Sequence, residues 1–65
     1  MIETIIRLKN DVVMVFDDEG EQVPKYQGQY EDVKGSILRD APLEAVFARW
    51  FNYETEPETV CRERW

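Results

Sequence analysis

Residues 2–9, Ile-Glu-Thr-Ile-Ile-Arg-Leu-Lys, alternate with a period of two and predict a strand. Ile2, Thr4, Ile6 and Leu8 share one face; Glu3, Ile5, Arg7 and Lys9 share the other. Asn10-Asp11 breaks the run with residues that accept turn geometry. Val12-Val13-Met14-Val15-Phe16 follows, β-branched and apolar on both faces, so the pair reads as a hairpin. A tight Asn10-Asp11 loop sets Leu8 against Val13 and Ile6 against Val15. A one-residue slip sets Leu8 and Ile6 against Met14 and Phe16 instead, and the pattern leaves both open. Asp17-Asp18-Glu19-Gly20 predicts a type I turn with a bulge, Gly20 supplying the positive φ. A third strand is expected around Glu21-Gln22-Val23, short and at an edge because Pro24 has no N–H to donate.

The period changes over residues 29–39. Tyr30, Val33 and Ile37, with Leu38 and Ala41 beside them, follow helical spacing, with Glu31, Asp32, Lys34 and Arg39 on the wet side. Gly35 weakens this helix by about 1 kcal/mol relative to alanine. Ala41-Pro42 ends it, since a residue before proline avoids helical backbone.

Residues 44–53 fit two patterns. Leu43, Phe47, Trp50 and Tyr53 can stripe a helix capped by Asp40, but Val, Phe, Trp and Tyr are strand formers. The segment 59–65 looks like a partner strand across the polar loop Glu54–Glu58. Pairing Tyr53 with Thr59 aligns Phe51 with Cys61, Arg49 with Glu63, Phe47 with Trp65 and Trp50 with Arg62. All are favourable neighbours, so strand is preferred. The expected fold is a single small α+β domain over 1–65, a small antiparallel sheet in ββ(β)αββ order with one amphipathic helix.

With 65 residues, one cysteine and no histidine, neither an internal disulfide nor a Cys/His zinc site can staple the core. Self-association or an unusually aromatic core is the remaining route to stability. The net charge of −6 disfavours nucleic acid and anionic membrane surfaces. No apolar run approaches the roughly 20 residues of a membrane span. The first residues carry no signal-like pattern, and a lone thiol suits a reducing cytoplasm.

Candidate chemistry is sparse. Asp17, Glu19 and Glu21 on the acidic turn are the candidate metal ligands, but their spacing is not that of an EF-hand, and a solvated turn explains them better. Cys61 has no histidine to activate it and reads as a packing cysteine. No phosphate loop or nucleophile elbow occurs, so no catalytic residue and no cofactor are expected. Phe47, Trp50, Phe51, Tyr53 and Trp65 stand out. One helix cannot cover both faces of a strand that carries Val46, Ala48 and Trp50 on one side and Phe47, Phe51 and Tyr53 on the other. Either the sheet curls into a barrel-like core, or these aromatics form an interaction surface.

The stretches Val15–Leu38 and Phe51–Trp65 resemble short bacterial proteins with no assigned function, a resemblance that implies no activity. The expected role is a non-enzymatic interaction or accessory module with a protein partner, or a homodimer. The alternative is a small ligand- or cation-binding domain built on the turn 17–21.

Overall fold

β1 (Ile2–Leu8) and β2 (Val12–Asp17) pair antiparallel as the alternation predicts, but in a register that neither predicted alignment gives. Thr4 faces Phe16, Ile5 faces Val15, Ile6 faces Met14 and Arg7 faces Val13. The reason is the connection. Asp11 enters the left-handed region at φ 65°, where aspartate is tolerated, and its N–H reaches the Leu8 carbonyl at 2.9 Å. The reversal therefore occupies Lys9–Asp11 rather than Asn10-Asp11 alone. At the far end the register shifts between Ile2, which faces Asp17, and Thr4, which faces Phe16. Glu3 is the extra residue of a bulge. The bulge rotates Ile2 onto the face of Ile5, away from the Thr4–Ile6–Leu8 face that simple alternation assigns to it.

The computed structural model describes residues 1–65 and continues from this hairpin through an irregular segment. Around Gln22 only a single bridge to Phe16 forms, so the expected third strand is not there. A 3₁₀ turn over Pro24–Tyr26 follows, and the third strand, β3 (Gly28–Gln29), pairs with Val12 and Val13. Pro24 accounts for the delay: it suits the first position of a tight helical turn and cannot donate to a ladder. The helix α1 spans Tyr30–Asp40, shifted one residue later than its predicted bounds, with Ile37 and Ala41 buried but Leu38 exposed.

β4 (Val46–Trp50) is a strand as expected, and β5 (Glu58–Val60) pairs with it antiparallel. The predicted register is overturned. Phe47 faces Val60, Ala48 faces Thr59 and Arg49 faces Glu58, so Arg49–Glu63, Phe47–Trp65 and Trp50–Arg62 are not ladder pairs. A turn closed by Thr55 N–H to Asn52 C=O ends β4 early, and Arg62–Arg64 winds into a 3₁₀ turn instead of a strand. Trp65 reaches Phe47 all the same, as an edge-to-face ring 5.1 Å away. The five-stranded sheet has the order β3-β2-β1-β4-β5. The fold is thus α+β with the expected element order. Its sheet is mixed rather than antiparallel, because α1 carries the chain across and lays β4 parallel to β1. The sheet is open, not barrel-like.

The core lies on one face only. Ile5, Val13, Val15 and Ile37 are fully buried; Ile2, Ala41, Phe47 and Trp65 complete the cluster. Trp65 meets Tyr30 and Phe47 edge-to-face, each at 5.1 Å. Arg7 lies 3.5 Å above the Tyr30 ring and donates from Nη1 to the Trp65 carbonyl at 2.8 Å. Arg62 lies 4.8 Å from the Phe47 ring and donates to the carbonyls of Leu38, Ala41 and Pro42 where α1 ends.

Two substitutions check this packing by urea unfolding. Trp65→Ala should cost about 3–5 kcal/mol. Since small domains hold only about 5 kcal/mol or little more, that variant should be largely unfolded by circular dichroism. Gly35 is helical, and a Cβ added there meets nothing within 4 Å. Gly35→Ala should therefore raise stability by about 0.5–1 kcal/mol.

Candidate interaction surface

Alternation along the three central strands sends one set of side chains under α1 and the other set to the opposite side of the sheet. The second set is Thr4, Ile6 and Leu8 from β1, Val12, Met14 and Phe16 from β2, and Val46, Ala48 and Trp50 from β4. Register joins them into one surface: Ile6 stands between Met14 and Ala48, Thr4 between Phe16 and Val46, and Leu8 beside Trp50. No element packs over them. Val46 is 40% exposed and all the others except Ala48 are half-buried, whereas Ile5, Val13 and Val15 on the helix side are at 0%. None of the nine is charged, in a chain where 34% of residues are.

One corner is elaborated. Trp50 Nε1 donates to the Thr55 carbonyl at 2.7 Å, and Tyr53 packs against the indole with ring centroids 5.3 Å apart. The Tyr53 hydroxyl accepts the Lys9 N–H at 3.1 Å, which fixes the loop after β4 to the end of β1. Tyr53 is 52% exposed and extends the apolar face to its rim. Phe51, 48% exposed, stacks under Arg49 at 4.6 Å and belongs to the helix side.

The aromatic residues singled out from sequence therefore separate. Trp50 and Tyr53 lie on the open surface. Phe47 and Trp65, at 2% and 3% exposure, are core residues and unavailable to a partner. The pattern missed Ile6, Met14 and Phe16 as surface members. Its available signal was the run 12–16, apolar on both faces.

Cys61 is exposed rather than packed, because β5 ends at Val60 and the chain turns outward into the 3₁₀ segment. The acidic turn is spoken for by its own backbone. Asp17 Oδ1 accepts the N–H groups of Glu19 and Glu21, both at 2.9 Å, and these bonds hold its carboxyl below the usual range. Asp17, Glu19 and Glu21 do not converge, and no group of three candidate metal ligands is assembled anywhere in the chain.

A shallow hollow of about 440 Å³ lies beside Ile2, Asp17, Val23, Tyr26 and Asp40. Its polar groups are bonded to each other or to neighbouring protein groups. Arg39 Nε donates to Asp40 at 2.9 Å and the Tyr26 hydroxyl donates to it at 2.6 Å. The Arg39 bond, then the Tyr26 bond, hold Asp40 at about 2, and the bond to Asp40 raises Tyr26 above 10.0. No helix is long and apolar enough to cross a membrane. No protein-family model, curated protein or solved structure matches the chain.

The Asp40 cluster makes a pH prediction. A carboxyl depressed on folding stabilises the fold above its ordinary 3.8, and that contribution is lost as pH falls towards about 2. A phenol raised on folding stabilises below its ordinary 10.0, and that contribution is lost as pH rises through the folded value. Asp40→Asn should therefore lower the urea midpoint between these limits, with the deficit shrinking at both extremes. It should also return the Tyr26 phenolate absorbance transition towards 10.0. A deficit that stays constant at both extremes would show that the cluster is not coupled to folding.

Proposed function

We propose that the protein is a non-enzymatic interaction module that binds a protein partner through the open face of its sheet. The observation that carries this reading is a continuous, uncharged apolar surface over three adjacent strands with no element of the chain packed over it. Contiguous exposed apolar patches bordered by polar residues mark interaction sites, and aromatic side chains within them serve as anchors. Trp50 and Tyr53 supply such anchors here, both held by hydrogen bonds. The state of the titratable groups supports binding over chemistry. Histidine is absent, and the Asp17 and Asp40 carboxylates are engaged in structural bonds. The net charge of −6 supports a protein partner over nucleic acid. We place the module in the cytoplasm, where the exposed thiol of Cys61 stays reduced.

Site-directed photo-cross-linking in the host cells tests the reading. A benzophenone side chain in place of Phe16 or Met14 should give a discrete adduct, while the same probe at Leu38, exposed on α1, should give none. Equal yields from both sides of the sheet would overturn the assignment of the open face.

A further inference from the structure

We infer that the partner seats a short amphipathic helix on the open face, with basic residues at both ends of its apolar stripe. The inference rests on the reading of that face as an interface and adds the chemistry of its occupant.

The ends of the face select the charge. Asp17, Asp18, Glu19 and Glu21 lie in the turn that closes β2, and Glu54, Glu56 and Glu58 lie in the stretch that leads into β5. These are half of the chain's 14 acidic residues, and neither stretch holds a lysine or arginine. They stand at opposite ends of the central strands. β1 begins where Ile2 faces Asp17 and ends where Leu8 stands beside Trp50, the residue after which the second stretch begins. That second stretch is drawn against the face itself, since the Thr55 carbonyl holds Trp50 Nε1 and Tyr53 packs on the indole. Glu19, Glu21, Glu54, Glu56 and Glu58 are all exposed, and none has an ion-pair partner in the chain. An apolar strip between two uncompensated acidic ends complements an apolar strip between two basic ends.

Length and layering select the helix. The six residues of β2 span roughly 20 Å, which is the length of a helix of about 13 residues. Laid along the strands, such a helix brings its first and last turns to the two acidic stretches. The other side of the same sheet already carries a layer of this kind, the eleven-residue α1, and helices on both faces of a sheet are a stable arrangement. Lysine or arginine in the last turn suits any helix dipole, whereas in the first turn it opposes the dipole. Basic residues at that first turn are therefore the mark of this partner. A contact of this size belongs to the weak, transient class, and its charged ends make it sensitive to salt.

Two synthetic peptides of about 14 residues test the inference, both with leucines at helical spacing on an alanine background. One carries Lys-Lys at each end and the other Glu-Glu. In methyl-labelled protein, the Lys-ended peptide should move the Met14 and Ile6 signals to saturation and leave Ile37, buried on the α1 side, unmoved. Raising the salt from about 0.02 to about 0.3 M should weaken this binding about tenfold. Glu54→Lys with Glu56→Lys, both in an exposed loop, should weaken it by a similar factor and let the Glu-ended peptide bind instead. Equal binding of the two peptides, binding of neither, or shifts confined to the α1 side would overturn the inference. Met14 signals that move with protein concentration alone would assign the face to a second copy and overturn it as well. If neither peptide binds, a discrete cross-linked adduct at Phe16 would keep the interaction reading and remove only the basic helix. The absence of any adduct would remove both.

Discussion

The fold depends on how Trp65 is seated. Its indole fills the space between the start of α1 and the middle of β4, meeting Tyr30 on one side and Phe47 on the other. The two outer rings of this series each carry a guanidinium, Arg7 on Tyr30 and Arg62 on Phe47. Neither cation acts only through its ring. Arg7 also binds the Trp65 carbonyl and pairs with Asp11 in the hairpin reversal. Arg62 binds the carbonyls at the end of α1, where a positive charge suits the helix dipole. Both ends of the helix are thereby tied to the sheet through the last residues of the chain. That arrangement substitutes for the disulfide or metal that a 65-residue domain with one cysteine and no histidine cannot have.

Committing the aromatics to one face has a structural consequence on the other. A single helix of eleven residues covers one side of a five-stranded sheet, and the covered side is filled by the helix and Trp65. Side chains of the opposite parity then have only one another. Ala48 is buried among its larger neighbours, but Ile6, Met14 and Phe16 stay partly wet. The open face is thus a by-product of the way the core closes, and none of its nine residues carries a charge.

The elements were legible where local chemistry decided them. The Gly20 turn, with φ at 80°, follows from sequence, as do the helix that stops before Pro42 and the strand character of Val46–Trp50. Pairings were harder, because a ladder is set by contacts remote in sequence. The predicted Phe47–Trp65 pair was correct as a contact and wrong as a register: the two rings meet through tertiary packing, not across a ladder. The parallel β1–β4 pairing was hidden for the same reason, since nothing in either strand announces its direction. The open surface was half visible. The residues 12–16 showed apolar character on both faces, but the assignment of β1 required the bulge, and Glu3 carries no mark of one in the sequence.

That bulge decides which face is which. Ile5 and Ile6 are adjacent and chemically identical, yet one is at 0% exposure under α1 and the other is half-buried on the open side. Without the extra residue at Glu3, Ile2 would follow the parity of Ile6, and the core would lose one of its apolar members. With it, Ile2 and Ile5 both turn towards the helix, and Thr4 is the single polar side chain among the nine on the open side. Glu3 itself is exposed at the rim. A single irregularity in β1 therefore sorts its apolar side chains between the core and the open side.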